Sequence, residues 1–325
     1  MKKNLALALL LLAALLAAEV AAQPRQVRVA YVWLFDAGPS APYSQPFKAR
    51  LGELGWKEGR NLRFEEYDAK GDPKRLASIM EDLARTKVDV IVAMCTPEAV
   101  AARKATTTIP IVVTAAGDLR AAGLVTNFAR PGGNITGMSF LLDQASAKRV
   151  ELLKTAFPGM KVATVLWNPV RPDNASEVAA MQAAAQRVGM ELRSVQVRTR
   201  DELSTALEML AVDGTQGLLN AGDPLLSSEV AAVVKRAAEL RIPALYTERV
   251  FPVGGGLMSW GPDMMEEARR AAEYVDRILR GEKAGDLPIQ QPKRFEFVVN
   301  KTAARVRGWE LPPSIMVLAD ELIDK

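Results

Sequence analysis

Residues 88–117 read VDVIVAMCTPEAVAARKATTTIPIVVTAAG, and their order decides the fold. An apolar run, 88–93, meets Thr96-Pro97. An alanine-rich segment follows, then Ile109-Pro110 and a second apolar run, 111–114. Short apolar runs bounded by turn signals read as buried strands, and the segment between them reads as a helix. The same order returns as 217–220, Asp223-Pro224, 228–240, Ile242-Pro243 and 244–247. Small pieces agree as well: Glu98-Ala-Val-Ala-Ala stands against Glu229-Val-Ala-Ala. A repeated βαβ unit implies two similar lobes of α/β architecture, each with a parallel sheet covered by helices.

The flanking sequence extends both lobes. In the first, 27–35 (VRVAYVWLF) reads as a strand, and 46–54 carries Phe47, Leu51 and Leu54 at helical spacing. A strand is expected over 62–67. Asp72-Pro73 then opens a helix whose core stripe is Leu76, Ile79, Met80 and Leu83. In the second, a helix over 143–157 precedes a strand at 161–167, a helix at 176–188 and a strand at 190–197, and Asp201 is expected to cap the next helix. Gly55 with Gly189, Asp72 with Asp201, and Asp89 with Asp213 fall at matching places. After 247 the pattern changes. A glycine-rich break at 253–259 precedes a strong helix at 263–279, a proline-bounded link at 287–292 and a last strand at 295–299.

Length and composition set limits. The chain has 325 residues, 49% apolar and 25% charged, with a net charge of +4. That suits two globular domains and gives no clustered basic face for nucleic acid. There is no histidine and one cysteine, Cys95. Histidine-based triads, histidine-ligated metals and intrachain disulfides are therefore excluded. No metal, cofactor or catalytic residue is expected, and Cys95 reads as a small buried side chain. At the start, Lys2-Lys3, an apolar run over 5–18 and Val20-Ala-Ala22 describe a signal peptide cleaved after residue 22.

Ligands of open α/β sheets bind beyond the carboxyl ends of the strands. Three strands end in a capping residue and a proline: Thr96-Pro97, Asn168-Pro169 and Asp223-Pro224. Helix N-termini also favour anions, so a small zwitterion held between lobes would suit them. Asp36, Tyr43, Asp118, Tyr246, Glu248, Ser259 and Trp260 lie near such ends. The site chosen from these is Tyr43, Thr96, Asp118, Asn168, Asp223, Tyr246 and Ser259. Asp118 and Asp223 could instead serve as general acid and base of an exported enzyme.

Four segments carry a resemblance: ARPGGNITG (129–137), WGPDMMEEARRAAEYVDRILRGEKAGDLPIQQP (260–292), FEFVVNKTAARVRGWELPPSI (295–315) and LGELGWKEGRNL (51–62). Together they resemble the periplasmic substrate-binding proteins of ABC importers, in the tryptophan-binding-like family. The resemblance implies a type I periplasmic-binding fold, two doubly wound parallel-sheet lobes joined by three crossovers. These crossovers are expected near 137–142, 256–259 and 287–292. The first lobe then comprises 23–140 and 260–285, the second 141–259 and 286–325. The implied function is capture of a small organic solute by a monomer in the periplasm, for an ABC permease and its ATPase. An aromatic amino acid or a relative of one is the ligand class to test. A ligand-binding partner of a membrane sensor is the remaining alternative. Met94-Cys95 and Asp118-Leu119 depart from the family pattern, which usually has a small residue and a proline there, so a narrower first-lobe pocket is expected.

Overall fold

The computed structural model describes residues 25–35, 43–140 and 142–324. The expected signal peptide and Asp36 lie outside them. Among the described residues the strands form two sheets, one of five strands and one of seven.

The first lobe runs β1 (Val27–Trp33), α1 (Ser44–Glu53), β2 (Leu62–Asp68), α2 (Pro73–Arg85), β3 (Val90–Ala93), α3 (Thr96–Ala105), β4 (Ile111–Ala116) and β5 (Ile135–Ser139). Its sheet order is β2-β1-β3-β4-β5, parallel throughout. Asp72 caps α2 as expected, accepting from the Lys74 N–H. Strands β3 and β4 are buried on both faces. This is why they read as continuous apolar runs rather than alternating ones. The turn before β5 holds Gly132 and Gly133 at φ 68° and 63°, the left-handed region that glycine enters without strain.

The second lobe repeats the plan with α4 (Asp143–Ala156), β6 (Val162–Trp167), α5 (Pro172–Arg187), β7 (Glu191–Gln196), α6 (Arg200–Met209), β8 (Gly217–Asn220), α7 (Pro224–Ser228), α8 (Val230–Glu239), β9 (Ala244–Tyr246), α9 (Val250–Val253) and β10 (Met258–Pro262). The order β7-β6-β8-β9-β10 repeats that of the first lobe. The echo between 88–117 and 217–247 is thus a shared place in two sheets. Helix α10 (Met264–Leu279) then returns to the first lobe and packs on α1, where Trp56 donates to Asp276 at 2.8 Å and Arg50 to Glu273 at 2.7 Å. Finally β11 (Phe295–Asn300), α11 (Lys301–Arg307), α12 (Pro313–Leu318) and β12 (Glu321–Ile323) complete the second lobe, with β11 antiparallel to β10.

Several expectations need correction. The second crossover lies at 262–263, not 256–259, because Trp260, Gly261 and Pro262 pair with β11 in the second sheet. Near the third, expected over 287–292, the chain stays on the first sheet as far as residue 290. Gln290 still bridges β5, donating to Gly137 at 2.9 Å and accepting from Ser139 at 2.8 Å. Thr199, not Asp201, caps α6. Asn168-Pro169 does not begin a helix; α5 starts at Pro172 after a turn in which Asn168 accepts from the Val170 N–H. The 228–240 helix is broken at Glu229. Strands β5, β10 and β12 are additional to the elements read from the sequence.

Candidate functional site

The carboxyl ends of the two sheets face one another and enclose a cleft of about 750 Å³, its open mouth included. From the first lobe, Trp33 ends β1 and Phe35 follows it, Met94 and Cys95 follow β3, Gly117 follows β4 and Phe140 follows β5. From the second, Arg171 lies beyond β6, Gly222 and Asp223 beyond β8, and Thr247 and Glu248 beyond β9. The lobes touch across it, for the Tyr43 hydroxyl on one side donates to Glu248 on the other at 3.3 Å.

One wall is apolar. Trp33 is almost fully buried and rests on Tyr31, ring centroids 5.0 Å apart, which in turn meets Phe47 edge-on. The Trp33 indole N–H has no partner among the described residues. Phe140, Leu142 and Met264 continue this wall. Cys95 precedes α3, and the buried Glu98 accepts from the N–H groups of Cys95 (3.1 Å) and Leu34 (2.6 Å). Glu98 thereby ties the end of β1 to the start of α3. Burial, reinforced by Glu98, pushes the Cys95 thiol well up, so it stays protonated and serves as packing surface.

The other side carries the charge. Arg171 is buried and pairs with Asp173 through Nε (3.3 Å) and Nη2, and its Nη1 donates to the Gly222 carbonyl at 2.7 Å. Burial opposes the guanidinium charge, but Asp173 and Asp223 outweigh it and keep the group charged. Five N–H groups serve three bonds among the described residues, so Arg171 retains donors for a ligand. Asp223 caps α7, with Pro224 behind it and the Leu225 N–H donating to its carboxylate at 2.9 Å. Burial raises its carboxyl to about 6 against the pull of Arg171 and of the Asn168 side chain. Glu248 accepts from Ser227 at 2.5 Å and, like Asp223, is raised by burial. Beneath Gly222, buried Arg149 and Glu177 pair, and Glu177 also accepts from the Gly222 N–H at 3.2 Å.

Of the seven residues chosen from sequence, Asp223 lines the cleft. Three stand directly behind it. Tyr43 supports Glu248, Thr96 accepts from the Gly117 N–H at 3.1 Å, and Asn168 shapes the turn that carries Arg171. The other three lie elsewhere. Tyr246 stacks on Phe251 at 4.4 Å in the second-lobe core, and Ser259 pairs with it across β9 and β10. Asp118 caps a partly exposed turn, accepting from the Arg120 N–H at 2.8 Å. Trp260 stacks on Phe295 away from the cleft. Missed from sequence were Trp33, Phe35, Gly117 and Arg171. Each stands within four residues of a strand's carboxyl end, which is the signal that could have found them.

An anchored cation and a buried carboxylate stand beside an aromatic wall, as in small-molecule sites with a few placed polar groups. Comparison with known proteins agrees. A tyrosine-binding protein of Clostridioides difficile is 31% identical over 255 residues, 78% of this chain and 73% of that protein. A conserved domain protein from Vibrio cholerae superposes with a TM-score of 0.86 at 28% identity, covering 92% of this chain and all of that one. An ABC domain from Streptococcus pneumonia, solved in complex with L-Trp, gives 0.83 at 22% identity, covering 91% of this chain and all of that one. Residues 41–323 match the family described as ABC transporter substrate binding protein, and the chain belongs to that family.

Proposed function

We propose that this protein is the solute-capturing component of an ABC importer, exported after loss of residues 1–22, and that its ligand is an amino acid with a large apolar side chain. The observation that carries this reading is that Arg171 and Asp223 line one cleft together with Trp33, Phe35 and Phe140. A carboxylate meets the Nη1 and Nη2 hydrogens of Arg171 that Asp173 and Gly222 leave free, an ammonium meets Asp223, and the side chain packs on the aromatic wall. The relatives' ligands, tyrosine in one and L-Trp in another, support the same class. Ligand binding stabilises the closed population and delivers the shut form to the permease. Thermal unfolding with each L-amino acid tests this: tyrosine or tryptophan at about a hundred times its Kd should add about 2.7 kcal/mol. No shift with any amino acid would overturn the reading.

The charge state of Asp223 gives a pH dependence. Its carboxyl sits at about 6, raised by burial. The raised value means that the carboxylate is lost as pH falls through 6, rather than near 4. At pH 5 only about a tenth is ionised, so affinity for an ammonium ligand should be about tenfold weaker than at pH 7.5. Calorimetry at the two pH values reads this directly, and a flat profile would remove Asp223 from the ammonium site. Tyr246→Phe supplies the opposite case. The hydroxyl has no partner among the described residues and does not face the cleft. Affinity should stay unchanged and the melting temperature should not fall.

A further inference from the structure

We propose that Gly117 and the Arg171–Asp173 pair form an interlobe latch, in which the glycine is required so that the ion pair can seat on the first lobe at closure. The proposal rests on the reading that the lobes close on a ligand, and it names a closure-determining contact for that site.

Gly117 follows β4, and its backbone is fully engaged within its own lobe. Its N–H donates to Thr96 at 3.1 Å and its carbonyl accepts from the Ser139 hydroxyl at 2.6 Å. Its remaining face meets the second lobe. A β-carbon there would overlap Asp173 Oδ2 and Cγ and stand 2.7 Å from Arg171 Nη2. Such overlap costs nothing when the atom can swing away, but Asp173 cannot. Its carboxylate is held by Arg171, and Arg171 is held by the Gly222 carbonyl. Both side chains are about nine-tenths buried.

The other tight glycines differ in kind. Gly137 lies against the Val113 backbone, Gly261 against Thr247, Gly256 against Tyr246 and Gly217 against Met160. Each contact is within one lobe and so serves the fold. Gly117 is the described glycine whose closest neighbours all belong to the opposite lobe. Nor is it there for its backbone, since it is absent from the residues with positive φ. Alanine therefore fits the open protein and collides only when the lobes shut. Arg171 belongs both to the latch and to the cleft wall, so a ligand carboxylate that orients it also aligns Asp173 for seating.

The test uses three variants of the full protein: Gly117→Ala, Asp173→Ala and the double. Binding of L-tyrosine and L-tryptophan is read by calorimetry, and closure by small-angle X-ray scattering of the ligand-free protein, whose radius of gyration falls as the lobes come together. Gly117→Ala should raise the radius and weaken binding about tenfold, because affinity scales with the fraction of closable protein. Its circular dichroism and melting temperature should match the parent. Adding Asp173→Ala removes the atoms that the β-carbon meets most closely. The double variant should therefore return to the radius of Asp173→Ala alone, which would not happen if Gly117→Ala damaged the first lobe. A parental radius in Gly117→Ala, or a double variant as open as Gly117→Ala, would overturn the latch. If neither amino acid binds the parent but the radius still rises and recovers, the ligand reading fails and the latch stands.

Discussion

Replacing Arg171 with methionine is expected to weaken ligand binding at least a hundredfold, the largest loss from any single cleft residue. Methionine keeps much of the stem volume and removes the fork. Three things are then lost together: the donors facing the ligand carboxylate, the partner of Asp173, and the bond to the Gly222 carbonyl. Truncating one member of a buried, hydrogen-bonded charge pair costs about 2–5 kcal/mol, and a hundredfold corresponds to about 2.8. Arg171→Lys keeps the charge without the planar fork, so it should recover only part of the affinity. A second signature separates this from general damage. Arg171 is what pulls the Asp223 carboxyl downward against burial. Without it the pH midpoint of any residual binding should rise above about 6. Affinity within threefold of the parent, or an unmoved midpoint, would take Arg171 out of the site.

Asp223→Ala is expected to act twice. Loss of a charge-assisted bond to the ammonium should cost about 1.5–3 kcal/mol of binding, roughly 10- to 150-fold. Loss of the α7 cap, which accepts from the Leu225 N–H, should cost about 1 kcal/mol of stability. Asp223→Asn separates the two. Asparagine caps helices as well as aspartate but carries no charge. Stability should therefore return while affinity does not, and the tenfold loss between pH 7.5 and 5 should vanish. Denaturant unfolding together with calorimetry on both variants reads each part. Full affinity in Asp223→Asn would show that the ligand does not present an ammonium there.

The sequence made the architecture legible and the site only partly so, for one physical reason. Strands β3, β4 and β8 are buried on both faces, so their apolar runs and their flanking Thr-Pro and Asp-Pro pairs are visible without tertiary knowledge. The same applies to α10, whose buried stripe runs from Met264 to Ile278. Strand β10 carries no such mark. Met258–Pro262 contains a glycine and a proline and owes its place to the antiparallel partner β11, which comes more than thirty residues later. That misplaced the second crossover. Strand β5 was hidden in the same way, behind a turn with two glycines.

Within the site, the rule of strand carboxyl ends located the right loops but not the right side chains. Thr96 and Asn168 stand at the cleft loops, yet Thr96 is spent on Gly117, and Asn168 on Val170 and the Asp223 carboxylate. Gly117 and Arg171, which those bonds position, line the cleft instead. Arg171 could not be read as a cleft residue because its inward turn depends on Asn168, Asn174 and the Gly222 carbonyl. Tyr246 and Ser259 sit in strands, and Tyr246 faces the layer behind the sheet, where Phe251 and Gly256 pack. Strand alternation decides such facing, and a three-residue strand such as β9 is too short to display it.

The most direct test is native mass spectrometry of the protein purified from its exported form, before any ligand is added, followed by calorimetry with the molecule found. The account predicts a one-to-one complex with a molecule carrying an α-ammonium, a carboxylate and a large apolar side chain. It also predicts that this complex is lost in Arg171→Met and Asp223→Ala. A bound molecule with no protonatable nitrogen, or one retained in full by both variants, would contradict it.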